Sequence, residues 1–264
     1  MLAILGIVNI FLAQCIRKSS KPIWTFYLFS ETVVLLRVIL FMDVFVDYDD
    51  ATYAVILVVM PSYLYLMVGL SQVMLNVESI IKYKNFKIKE EEAITPARLK
   101  EKIAKNRKVL EYSYVVLYAL MLGTILTFIV VWACYLSDYI ESTPGTAIGA
   151  IYLALLNIVV WIMLALSTLA FISMLNKRFG EAEFTGPKCR LIFFLSVFSL
   201  SFFVRGTYDL VATLKEHPPD DQTNWGRMAA MMFTLYFFTE WLPIFSIYLT
   251  HLMAFQSLLD RNKK

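Results

Sequence analysis

The sequence predicts an all-α polytopic membrane protein, a single bundle of seven transmembrane helices. Three observations carry that prediction. The 264-residue chain is 59% hydrophobic and 17% charged, with a mean hydropathy of +0.65, whereas a soluble domain carries about 25% charged and 45–50% apolar residues. The apolar residues fall into long runs, most of them as long as or longer than the ~20 residues a helix needs to cross a ~30 Å hydrocarbon core. The basic residues between those runs are confined almost wholly to one side.

The first run, 1–16, covers ~24 Å at 1.5 Å per residue and is short for a full crossing. A signal peptide carries its positive charge ahead of the apolar core. Here Arg17, Lys18 and Lys21 follow it, so the run reads as a short first span. The second span, 22–46, opens with Pro22, which is tolerated at a helix start. It contains Glu31 and Arg37, and an acidic stretch follows at Asp43, Asp47, Asp49 and Asp50. The third span, 51–80, holds Met60-Pro61. A mid-helix proline removes one backbone hydrogen bond and kinks the helix, which a bundle tolerates when neighbours satisfy the freed carbonyl.

The long polar connection 82–108 contains ten Lys/Arg. Within it Thr95-Pro96 reads as a helix start, with Thr as N-cap and Pro at the first helical position. Glu101 and Lys105 are spaced for an i,i+4 pair. That helix is expected to run on into the fourth span, 109–136. Asp138, Glu141 and Pro144-Gly145 turn the chain into the fifth span, 146–175. Gly180 and Gly186-Pro187 break the next connection, which carries Lys177, Arg178 and Lys188. The sixth span, 189–214, holds Arg205 and Asp209. A polar turn with Pro218-Pro219-Asp220-Asp221 leads to the seventh, 228–252, with Glu240 and Pro243.

With seven spans, the odd-numbered connections, counting Arg190 at the inner edge of the sixth span, and the C-terminal tail hold 20 of the 24 Lys/Arg, and the even-numbered connections hold only Lys215 and Arg227. The positive-inside rule then sets the N-terminus outside or lumenal and the C-terminus in the cytoplasm. Arg37 and Arg205 are the two basic residues left inside spans. Arg37 lies ~15 residues from the inner end of its span, Arg205 ~16 and Glu240 ~12, depths that agree within about one helical turn. Charges at bilayer depth cost several kcal/mol and turn inward to partners. A core in which Glu240 bridges Arg37 and Arg205 follows, with Asp209 one turn above Arg205 and Glu31 ~9 Å deeper than Arg37 along its helix. Tyr63, Gln72, Asn76 and Asn157 are placed to extend a polar interior. Such a core is a packing staple, a ligand or ion site, or a switch. Pro61 and Pro243 are kink or hinge positions. The aromatic pairs Phe193-Phe194 and Phe202-Phe203 read as packing and lipid-facing surface.

Lys82, Lys84, Lys87, Lys89, Arg98, Lys100 and Arg107 offer either an anchor on anionic cytoplasmic lipid, at about 1 kcal/mol per basic residue near the surface, or a docking site for a cytosolic protein. Glu90-Glu91-Glu92 among them dilute a purely lipid-binding pattern. Several functions lack their residues. No lysine lies between Lys215 and Lys263, so there is no seventh-span Schiff base for retinal. The third span ends Asn76-Val77-Glu78-Ser79 and the seventh reads Leu242-Pro243-Ile244-Phe245, without the motifs of rhodopsin-like receptors. There is no His-Glu-x-x-His, no intramembrane Asp pair and no Gly-x-Ser-x-Gly, so no catalytic residue is assigned and the chain is not expected to be an enzyme. Cys15, Cys134 and Cys189 are far apart, as are His217 and His251, which gives neither a disulfide framework nor metal-ligand spacing. No cofactor and no nucleic-acid partner is expected.

Leu35-Leu36-Arg37-Val38 in the second span, Met60-Pro61 in the third, Phe203-Val204-Arg205 in the sixth and Glu240-Trp241-Leu242-Pro243 in the seventh together resemble the tobamovirus multiplication protein family. The likeness runs from about Pro22 to the end, at a distant level. The short first run and the long 82–108 connection depart from it. The resemblance implies a receptor-like, seven-span scaffold or adaptor of vacuolar or lysosomal membranes, with the plasma membrane as the other location, that engages small GTPases on its cytosolic face. It also implies that Arg37, Arg205, Glu240 and Pro243 organise the bundle. The residues alone leave open a divergent G-protein-coupled receptor, a transporter or channel that uses the Arg/Glu core, and a structural subunit of a larger membrane complex.

Overall fold

The computed structural model describes residues 21–43, 57, 59–90, 96–136, 144–179, 185–214 and 225–251. The first apolar run, 1–16, lies outside them, as do Glu91, Glu92 and the 218–221 turn. Every described residue of the bundle is helical. Helix α1 spans Lys21–Asp43, α2 Met60–Glu90, α3 Pro96–Leu136, α4 Pro144–Phe179, α5 Thr185–Leu214 and α6 Trp225–Tyr236. A π-helical turn, Phe237–Trp241, follows α6, and the chain is α-helical again over 242–251. Six helical segments among the described residues are long and apolar enough to cross a membrane, so the chain is a multi-pass, all-helical membrane protein.

Pro96 occupies a first helical position as expected, while Pro144-Gly145, expected in the turn, already open α4, and Gly186-Pro187, expected as breakers, lie in the first turn of α5, where a missing proline N–H costs nothing and the fixed φ suits the helix. Within the polar connection 82–108, α2 continues unbroken to Glu90 and α3 begins at Pro96. The expected helix from Pro96 into the fourth span is present as one 41-residue rod.

Helix α2 sits at the centre and packs against α1, α3 and α4, while α4 packs along α5 and α5 meets the π turn. It is the most buried of the six segments, and α3 the least. Two glycines set the close crossings. A Cβ at Gly69 would lie 2.6 Å from Val160 Cγ1 and 2.7 Å from Phe202 Cζ, and one at Gly206 would lie 2.9 Å from the Ala154 carbonyl oxygen. Small residues let membrane helices approach in this way, since lipid offers no hydrophobic drive to bring them together. Between the helices lies an apolar core that includes Phe26, Leu66, Met74, Phe198, Phe202 and Ile247. The Tyr65 ring stacks on Phe202 at 4.4 Å, and its hydroxyl bonds Ser201 Oγ at 2.6 Å.

Hydroxyls inside the spans turn back on their own helices. Ser71, Thr124 and Thr239 donate to the carbonyls of Met67, Leu120 and Leu235, four residues earlier. In hydrocarbon this is the nearest way to satisfy them. Beyond Glu111 the exposed surface of α3 is largely apolar, with Val115, Leu122, Ile125 and Ile129 outward, as a lipid-facing helix requires.

Candidate functional site

Two prolines shape the site before any charge enters it. Pro61 has no N–H, so the Leu57 carbonyl four residues earlier loses its regular helical partner. Pro243 would drive its ring into the carbonyl of Thr239 in a straight α-helix. The chain avoids that clash by widening into the π turn Phe237–Trp241, which the Leu242 N–H closes onto the Phe237 carbonyl. Such single turns insert one extra residue and re-aim the side chains they carry. Glu240, inside this turn, is fully buried.

Arg37 of α1 is also fully buried. Its Nε donates to Glu240 Oε2 at 2.8 Å and its Nη2 to Glu240 Oε1 at 2.7 Å, the bidentate fork that suits a guanidinium to a carboxylate. Its Nη1 donates to the Leu57 carbonyl at 3.0 Å, which supplies the partner Pro61 removed. Nη2 also reaches Ser62 Oγ at 3.0 Å. Arg205 of α5, 6% exposed, approaches from the other side. Its Nη1 donates to Glu240 Oε1 at 3.3 Å, its Nη2 to Ser62 Oγ at 3.2 Å and its Nε to Asp209 Oδ2 at 2.9 Å. The Tyr236 ring lies 3.6 Å from the Arg37 guanidinium carbon and 4.9 Å from that of Arg205, so one π face serves both cations.

The cluster therefore joins α1, α2, α5 and the π turn through two cations and two carboxylates, and its formal charge is zero. Every nitrogen of both guanidiniums points at an acceptor on the protein. Balance of this kind is what makes buried charge tolerable, since removing one member strands the others.

Of the expected site residues, Arg37, Arg205, Glu240 and Asp209 lie together. Glu31 does not join them. Val33 and Val34, both buried, fill the interval along α1, and Glu31 Oε1 instead accepts from the Tyr248 hydroxyl at 3.0 Å. This is a second polar group, near the other end of α1. In it Ser30 Oγ and the Tyr248 hydroxyl are 2.7 Å apart, and the Tyr27 hydroxyl and His251 Nδ1 are 2.8 Å apart. Gln72 donates to Asn76, which donates to Ser167, while Asn157 donates to its own Leu153 carbonyl. Tyr63 packs its ring on Phe128. None of these four bonds the charge cluster. Lys82 pairs with the buried Glu78 at 2.6 Å and Arg107 with Glu111 at 2.9 Å. Lys84, Lys87, Lys89, Arg98 and Lys100 are exposed.

The sequence reading missed Ser62, the Leu57 carbonyl and Tyr236. The first two were signalled by Pro61, whose missing N–H marks a carbonyl in need of a donor. Tyr236 stands four residues before Glu240, on the same helical face. Among the described residues no group of three or more His, Cys, Asp or Glu is placed to hold a metal ion.

These features define a class, a multi-pass helical membrane protein whose core is closed by a neutral Arg–Glu–Arg–Asp cluster. Compared with known protein families, with curated proteins and with solved structures, the chain gives no match.

Proposed function

We propose that the protein is a receptor-like membrane scaffold or adaptor. It has seven spans, with 1–16 as the first, its N-terminus outside or lumenal and its C-terminus cytosolic, and it works on an endomembrane of the vacuolar or lysosomal type. The observation that carries this reading is the closure of the charge cluster. Arg37 and Glu240 expose no surface, and protein acceptors take the guanidinium donors. A transport path would have to continue from the cluster toward Glu31 and Glu78. Buried Val33 and Val34 stand in one direction, and buried Leu66, Met67, Val68 and Leu70 of α2 stand in the other, before Ser71, Gln72 and Asn76. A core of this kind fixes helix positions and leaves the work to a surface. The 20-to-2 distribution of basic residues supports the orientation. The resemblance to tobamovirus multiplication proteins supports small GTPases as the partners.

The test is extraction of the native protein in mild detergent and identification of what accompanies it by mass spectrometry. A small GTPase retained in one nucleotide state supports the adaptor. A heterotrimeric G protein would move the assignment to a divergent G-protein-coupled receptor. A fixed set of membrane subunits would make the chain a structural component, and recovery of the protein alone would remove the scaffold reading.

A further inference from the structure

We infer that the extensions of α2 and α3 form a rigid, freestanding coiled-coil arm that presents a basic surface to an acidic protein, outside the lipid headgroup layer. The inference deepens the scaffold reading and rests on its orientation, because it names the surface and the chemistry a cytosolic partner would meet.

The arm's register is fixed by one bond. Asn106 Nδ2 donates to Asn85 Oδ1 at 2.7 Å. Antiparallel pairing at 85 and 106 sets residue 82 level with residue 109. The apolar runs end at that same level on both helices, with Ile81 followed by Lys82 on α2 and Lys108 followed by Val109 on α3. The two helices thus leave the hydrocarbon together. Beyond that edge α2 continues for about 13 Å, to Glu90, and α3 for about 20 Å, to Pro96.

What holds two polar helices together out there is a narrow apolar seam. On α3, Leu99, Ile103, Asn106 and Leu110 recur at spacings of four, three and four. On α2, Ile81, Asn85 and Ile88 recur at four and three. Ile81 is buried and the other six are half-buried, while most of their neighbours are exposed. This is the a/d stripe of a coiled coil, and a facing Asn pair within it sets register at some cost in stability. A segment built merely to lie on a membrane would place its apolar stripe toward the lipid. Here the two stripes face each other where Asn106 bonds Asn85, and Ile88 and Ile103 on the same faces are half-buried.

The outward faces are basic. Residues 82–108 carry ten Lys/Arg against Glu90, Glu91, Glu92 and Glu101, and so remain strongly basic. Five of the ten, Lys82, Lys84, Lys105, Arg107 and Lys108, lie within the depth of the headgroups, about 5–8 Å per leaflet. The other five, Lys87, Lys89, Arg98, Lys100 and Lys102, stand roughly 8–17 Å beyond the hydrocarbon edge. At a physiological Debye length of ~8 Å the outermost of them are largely screened from lipid charge. Of these, Lys87, Lys89, Arg98 and Lys100 are exposed and suit a protein whose surface carries carboxylates.

The experiment uses the full chain in phosphatidylcholine nanodiscs and a fluorescein-labelled polyglutamate peptide as the probe. One variant changes the five distal residues to Gln (K87Q, K89Q, R98Q, K100Q, K102Q), and a second changes the five proximal ones (K82Q, K84Q, K105Q, R107Q, K108Q). The inference predicts an affinity loss of about tenfold or more for the distal set and a several-fold smaller loss for the proximal set. Equal losses, or a larger proximal loss, would overturn it. In parallel, nitroxide labels at K89C and K100C, with Cys15, Cys134 and Cys189 changed to Ser, are read in discs containing phosphatidylserine. Collision with a water-soluble nickel chelate places the arm in solvent as inferred, and shielding from the chelate with oxygen access would place it on lipid and sink the proposal. If the distal variant leaves co-purification of a cytosolic protein intact, the arm assignment fails and the scaffold reading stands. If the distal set governs peptide binding and no cytosolic protein co-purifies, the scaffold reading fails instead.

Discussion

Glu240→Gln is the substitution on which the energetics of the core depend most. The carboxylate takes three charge-assisted hydrogen bonds, two from Arg37 and one from Arg205. Glutamine keeps the shape and one acceptor oxygen but removes the charge. Two buried guanidiniums are then left with Asp209 alone, and the cluster carries a net positive charge in a site with almost no solvent. Breaking a buried pair by removing one partner costs about 3–5 kcal/mol. At roughly 2–4 °C per kcal/mol for a chain of this size, the melting temperature falls on the order of 10 °C. The assay is thermal unfolding in detergent, followed by intrinsic tryptophan fluorescence. A double variant sharpens it. Arg37→Met with Glu240→Gln removes one cation and the anion, so Arg205 and Asp209 remain as a neutral pair. The double variant is therefore less damaged than the sum of the singles, with a coupling of about 2–3 kcal/mol. A shift of under about 2 °C for Glu240→Gln, or additive single variants, would refute the claim that the cluster is a charge-balanced unit.

Three further predictions concern its surroundings. Gly206→Val should destabilise by about 1–3 kcal/mol, because its Cβ would press on the Ala154 backbone oxygen at 2.9 Å, an atom that cannot move without shifting α4; the same melting assay reads it. Tyr236→Leu leaves an apolar side chain but removes the π face between the two guanidiniums, at a cost of about 1–2 kcal/mol beyond the lost volume, and that part of the cost should shrink in an Arg37→Met background. Tyr248→Phe takes a hydrogen-bond partner from both Ser30 and Glu31, and should cost about 1–3 kcal/mol with no coupling to Glu240→Gln, since the two polar groups are separate.

Depth arithmetic alone brought Arg37, Arg205 and Glu240 to one level, because helical rise is uniform and charge in hydrocarbon must find a partner. The same arithmetic does not decide which partners. Glu31 looked close enough to join Arg37, yet Tyr248 on the facing helix offered a nearer donor. Ser62 and Tyr236 were invisible to any search for charges, since one contributes an acceptor lone pair and the other a ring face. The π turn could be foreseen only as a kink at Pro243, because sequence does not say whether a helix bends or widens to clear a proline. In the 82–108 connection the helix start at Pro96 was legible from Thr95-Pro96, but composition gave no sign that α2 runs on to Glu90 or that Asn85 and Asn106 meet.

With Arg37 and Glu240 fully buried, the charge cluster should be closed to water and fix the bundle without forming a path or a cavity. Ser62 touches both guanidiniums and is the position to probe. The measurement is labelling of Ser62→Cys in native membrane vesicles by a charged methanethiosulfonate reagent, with Cys15, Cys134 and Cys189 changed to Ser and with Lys84→Cys as the exposed control. The expected result is labelling of the control and none at position 62 from either side. Labelling of position 62 from one face would show a water-filled route to the two arginines, and would contradict the closed core in favour of a ligand cavity or a transport path.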